Sequence, residues 1–184
     1  AKYNVICAAV SGIPYGGCYL STYKIIRLIK RIKPDIVHLQ CINEHFVNIY
    51  RLIQWLKQHQ IPTVITLHAE FMYTANCGHA YECEKWKTGC GHCSRFRVAD
   101  RSLFWDRTHR SFLLMKRSFK NFDQFLRVVS VSPWLQERAV LSPVFADKKH
   151  SVILNGVNTD IFHFSGNCEE KKGKKIVLHV TALF

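Results

Sequence analysis

A chain of 184 residues, 48% hydrophobic and 21% charged, has the composition of an ordinary globular protein with room for one core or slightly more. No apolar run in it approaches the ~18 residues that span a bilayer, and no signal-peptide core opens it. Its 26 Lys and Arg against 13 Asp and Glu suit an anionic partner: nucleic acid, an acidic membrane surface or a phosphate-bearing small molecule.

Residues 20–33, LSTYKIIRLIKRIK, place Ile25, Leu28, Ile29 and Ile32 at helical spacing. Lys24, Arg27, Lys30, Arg31 and Lys33 fill the other face. Pro34 stops this helix, and DIVHLQ reads as a short, nearly continuous apolar strand in which His38 is expected to be a core histidine. A second helix is predicted over residues 46–58, with Phe46, Ile49, Tyr50, Ile53 and Leu56 on one side. Pro62 then introduces TVITLH, a strand of the same β-branched kind. A long helix is predicted over about residues 101–120. The stretch from Arg95 to Lys120 carries eight Lys or Arg and two Asp, a charge of about +6 that reads equally as a solvated face or an anion-binding one. A strand at FLRVVSVS, a helix opened by Ser132 and Pro133, and a strand at HSVILN follow.

Strands of this kind separated by amphipathic helices predict an α/β fold: a doubly wound parallel sheet with its sites at the carboxyl ends of the strands. NGVNTD reads as turns, GNCEEKKGKK (residues 166–175 at its core) as a linker, and KKIVLHVTALF as a strand just begun. The opening Ala1 and this last segment lead us to expect a fragment, cut at its C-terminal end and at its start as well.

The stretch NCGHAYECEKWKTGCGHC holds four of the eight cysteines, Cys77, Cys83, Cys90 and Cys93, spaced C-x5-C-x6-C-x2-C. Three uses are open: a metal site, disulfide or redox chemistry, and unrelated thiols. An α/β sheet with other cysteines scattered through it suits the cytosol, where disulfides rarely persist. C-x2-C is a zinc half-site, and four thiolates would close a tetrahedral structural centre with no position left for a catalytic water. C-x5-C is looser than usual. The expected purpose is a staple on a long loop that lacks apolar periodicity. His79 and His92 fit better near such a centre or exposed than as its ligands.

Five segments together resemble family-4 glycosyltransferases of the GT-B fold, in particular the N-terminal half of bacterial exopolysaccharide and capsule enzymes. They are KPDIVHLQCINEHFVNIYRLIQWL, IPTVITLHAEF, the cysteine stretch, VSVSPWLQERAVLSPVF and VILNGVNTDIF, in that order, from about Leu20 to Phe164. The sequence departs from the family at His68-Ala69, where His-Asp is common, with Glu70 next. Its opening strand and glycine-rich loop have no recognisable counterpart, unless Gly16-Gly17 is a remnant rather than a plain turn.

The resemblance implies a Rossmann-like acceptor-side domain over residues 1–165, carrying the cysteine insert at 76–93. A linker over 166–175 and the first strand of a donor-binding domain over 176–184 would follow. It implies a retaining transferase that moves a sugar from a nucleotide-sugar donor to a saccharide or lipid-linked acceptor in polysaccharide biosynthesis. Such a protein would be cytoplasmic, peripheral at the inner face of the membrane, and inactive as this half alone. His68, at the carboxyl end of TVITLH, would face the transferred sugar, with Glu70 as an acid/base or orienting group. Asn43 and Glu44 would contact the acceptor, and Asn155, Gly156 and Asn158 would form a hinge, with Gly156 lending it backbone freedom. Two rival readings are a zinc-stapled nucleic-acid-binding module and a non-catalytic scaffold, but no basic face bearing stacking aromatics supports the former.

Overall fold

A computed structural model of the chain describes residues 2–42, 46–99 and 102–163. The chain divides into two compact units, Ala1–Leu154 and Asn155–Phe184. The expected linker and the strand after it lie outside the described residues.

The first unit opens with two helices, α1 (Lys2–Ser11) and α2 (Tyr19–Ile32). β1 (Val37–Gln40), α3 (Ile49–Gln58) and β2 (Thr63–Leu67) follow, then the short α4 (Phe71–Thr74), α5 (Phe96–Ala99) and α6 (Thr108–Phe119). β3 (Leu126–Ser130), α7 (Pro133–Val140) and β4 (Lys149–Val152) complete it. The four strands are parallel and stand in chain order, β1-β2-β3-β4, with helices between them. This is the Rossmann-like α/β sheet the alternation predicts.

Packing explains the spacing of the apolar residues. Ile49, Leu52, Ile53 and Leu56 of α3 are buried with Phe112, Met115 and Phe119 of α6, and α3 lies against α6. Ile65, Leu67, Leu126 and Val128 of the central strands join the same core. α7 rests on β3 and β4.

Two boundaries and the burial of one strand differ from the sequence reading, each for a local reason. α3 begins at Ile49 rather than residue 46 because Asn48 caps it, its side chain accepting from Arg51 N at 3.0 Å. The long helix of residues 101–120 starts only at Thr108: Asp106 accepts from both the Thr108 N–H (3.0 Å) and hydroxyl (2.7 Å), turning the chain into α6. β1 is an edge strand whose alternate residues His38 and Gln40 are exposed while Leu39 is buried, so only one of its faces is covered.

Candidate active site

β2 ends at Leu67 and delivers the exposed His68 to the carboxyl edge of the sheet, where parallel sheets present their ligands. Its Nε2 lies 3.3 Å from Oε1 of Gln40, the last residue of β1. The β1–β2 register sets His38 beside Val64 and Gln40 beside Thr66. The period of two turns His38 and Gln40 to the same face. There Gln40 Nε2 stands 3.4 Å from His38 Nδ1, and His38 Nε2 stands 2.8 Å from Thr66 Oγ1. A line of polar side chains thus runs from Thr66 to His68. His38 is therefore not the core histidine expected of it, since the outward pleat of an edge strand leaves it at the surface.

Glu70 faces inward, 1% exposed. Its Oε1 accepts from the Tyr73 hydroxyl at 2.5 Å and from Arg138 Nε at 2.7 Å, and its Oε2 accepts from Ala80 N at 2.6 Å. His79 Nδ1 lies 3.7 Å from Oε2. Burial, and then the carboxylate to which it donates, pushes the Tyr73 hydroxyl well above the usual tyrosine range, so it stays a donor. The Arg138 guanidinium lies 4.9 Å from the ring centre of Trp86 and 5.0 Å from that of Trp134. Glu70 therefore joins the end of β2, the cysteine loop and α7. Of the two roles expected of it, this geometry serves orientation, because the oxygens are already engaged with donors in the interior.

The cysteine loop is anchored more fully than its lack of periodicity suggests. Trp86 is buried, lies 5.1 Å from the ring of Tyr73, and donates from Nε1 to Cys83 O at 2.8 Å. Thr74 Oγ1 donates to Cys77 O at 2.9 Å, Asp106 accepts from Cys93 N at 2.6 Å, and His109 Nδ1 lies 2.8 Å from Cys90 O. Gly91 adopts φ +154°, and a Cβ there would come within 3.3 Å of His109 Cβ, so this turn calls for glycine. Cys77, Cys83, Cys90 and Cys93 all line one small cavity of about 20 Å³ beside Trp86. Burial first, and then the nearness of Cys77, pushes the Cys90 thiol up to about 12. As placed, no three Cys, His, Asp or Glu side chains among the described residues form a metal-holding group.

Asn43 and Glu44 lie outside the described residues. In the second unit, Asn158 heads a turn: its side-chain oxygen accepts from Asp160 N at 2.9 Å and its carbonyl from Phe162 N at 2.8 Å. Asn155 and Gly156 are exposed beside it. Gly156 does not need the backbone freedom expected of it. Its φ lies outside the left-handed range, and a Cβ there would meet nothing within 4 Å.

The sequence matches the family described as Glycosyltransferase Family 4 over residues 12–161. The chain belongs to that family. Comparison with curated proteins and with solved structures gives no match. A family-4 domain carries a glycosyltransferase-type function, with a sugar donor and an acceptor. In this family-4 domain the sequence reading missed Gln40, Thr66, Tyr73 and Arg138. The alternation in VHLQ could have found Gln40, because it puts two polar side chains on one face of a strand next to His68. Nothing local could have found Arg138, which is 68 residues from its partner Glu70.

Proposed function

We propose that this chain is the acceptor-side domain of a retaining glycosyltransferase of the bacterial exopolysaccharide or capsule type. It moves a sugar from a nucleotide-diphosphate donor to a saccharide or lipid-linked acceptor. The observation that carries the reading is the family match over residues 12–161 together with an exposed His68 at the carboxyl end of β2. His68 contacts the transferred sugar. Asn43 and Glu44 meet the acceptor. Glu70 orients the β2 end and the cysteine loop rather than exchanging protons. The departing diphosphate needs cations and helix N-termini; a donor-binding domain after the Asn155, Gly156 and Asn158 hinge supplies them.

Cys77, Cys83, Cys90 and Cys93 hold a structural zinc. The donor set suits it: four sulfurs on one cavity can fill a tetrahedral centre, and the ion supplies folding energy rather than chemistry. The enzyme works in the cytoplasm at the inner face of the membrane. The exposed Leu103, Phe104 and Trp105, beside Arg107 and Arg110, rest there on anionic lipid. Among the described residues no helix is long and apolar enough to cross it.

The test is transfer from a panel of labelled nucleotide sugars to lipid-linked saccharides, using the protein that carries this domain. Transfer with the anomeric configuration kept is expected. Inversion, or no transfer and no donor hydrolysis across the panel, would overturn the reading.

A further inference from the structure

We infer that Gln40 and His38 are positioning residues that hold His68 in one tautomer and leave its Nδ1 lone pair for a sugar hydroxyl. The inference rests on the reading of His68 as the sugar-facing group and adds how that group is set. Each link in the line allows one sense of donation. The side-chain nitrogen of a glutamine only donates and its oxygen only accepts. Gln40 Nε2, 3.4 Å from His38 Nδ1, therefore makes Nδ1 an acceptor. A neutral His38 then carries its proton on Nε2, which donates to Thr66 Oγ1 at 2.8 Å. At the other end Gln40 Oε1, 3.3 Å from His68 Nε2, can only accept, so His68 donates from Nε2. The neutral ring is left with its lone pair on Nδ1.

The placement comes from the sheet itself. Gln40 lies beside Thr66 in the register, and His68 follows two residues after Thr66, just past the end of β2. β1 is an edge with its outer pleat uncovered, so the line lies at the surface and reaches the carboxyl edge. A hydroxyl and two imidazoles joined through one amide form a chain in which every member has a fixed role. A histidine that hydrogen-bonds a sugar hydroxyl as an acceptor needs its bare nitrogen aimed at the substrate. Gln40 supplies that aim without touching substrate.

The direct measurement is the ¹⁵N spectrum of the histidine side chains in the whole protein, followed at neutral pH in the wild type, Gln40→Leu, Gln40→Glu and Thr66→Val. The wild type is expected to show His68 as a single Nε2–H tautomer. Gln40→Glu keeps an acceptor at Nε2 and should keep that tautomer, whereas Gln40→Leu should give a mixture. Thr66→Val removes only the far hydroxyl, yet should shift the His38 nitrogens and, through Gln40, those of His68. In the transfer assay Gln40→Leu should lower kcat about tenfold with KM for the donor little changed, a split that simple loss of folded protein would not give. A mixed His68 tautomer already in the wild type, or identical His68 spectra in the wild type and Gln40→Leu, would overturn the inference whatever the activity. If the spectra behave as expected but His68→Ala transfers sugar at the full rate, the positioning stands and the role of His68 in transfer falls.

Discussion

At Glu70 a single buried carboxylate accepts from a buried tyrosine, a part-buried arginine and a backbone amide. Removing one partner of such a buried pair leaves an uncompensated charge, which typically costs ~3–5 kcal/mol. Glu70→Ala should therefore lower the unfolding free energy by about that amount, because Arg138 stays between two tryptophans without its counter-ion. Replacing both partners with apolar residues of similar size, Glu70→Leu with Arg138→Met, should recover part of the loss. Urea unfolding of the three variants measures it. A Glu70→Ala cost under about 1 kcal/mol would put this cluster among surface pairs of little weight. The sequence drew attention to Glu70 only through its place after His68. Its real partner comes from α7, brought there by the β2–β3–β4 crossovers, and such long-range pairings leave no spacing to read.

Elements show a sharper division between what was legible and what was not. Helical periodicity located α2 and α3 well, but only α3 buries a full stripe, Ile49, Leu52, Ile53 and Leu56. In α2 Ile26 is buried and Ile25 and Ile29 pack against the core, while Leu28 and Ile32, expected on the same face, are exposed. The start of α3 was set instead by a single polar side chain. Asn48 caps α3, and besides accepting from Arg51 N it donates from Nδ2 to Gly16 O at 2.6 Å. Asn48→Ala should cost about 1–2 kcal/mol, the upper range for a helix cap, since a tertiary bond goes with it. A thermal unfolding midpoint unchanged within a degree would show that the cap contributes nothing.

The cysteine loop belongs to the same scale. Its spacing suggested a staple, but its anchors on Trp86, Asp106 and His109 follow no period and could not be read. For the proposed metal, purified reduced protein should carry close to one zinc per chain, with sulfur-dominated coordination in X-ray absorption. Stripping it with a chelator should loosen residues 76–93 in hydrogen exchange while the sheet stays protected. Metal-free folded protein, or two disulfides found by mass spectrometry, would remove the zinc.

Over the whole molecule, the alternation of strands and helices was enough to give the parallel sheet, because buried parallel strands and amphipathic crossovers have distinct periods. Treating DIVHLQ as a nearly continuous apolar run hid that one face of β1 is uncovered, although the alternation of Leu39 with His38 and Gln40 carried that signal. The uncovered pleat turned His38 from a core residue into part of the surface line beside His68. The basic stretch from Arg95 to Lys120 likewise proved to be two helices around a loop that exposes Leu103, Phe104 and Trp105. That pairing of aromatic and basic side chains should bind vesicles containing phosphatidylserine, at ~1 kcal/mol per well-placed basic residue, with binding weakening as salt rises. Phe104→Ser with Trp105→Ser should reduce it further. Binding that ignores both salt and these substitutions would return the stretch to a solvated face.

The claim that His68 faces the reacting sugar is tested most directly by kcat for sugar transfer in His68→Ala, measured beside its unfolding midpoint. Losing one preorganised polar contact at the reacting centre commonly costs factors of ~10² to 10³. The expected result is a fall of that order in kcat with the midpoint held within a few degrees, because His68 is exposed and makes one long hydrogen bond within the fold. A His68→Ala protein that turns over at the wild-type rate would contradict it.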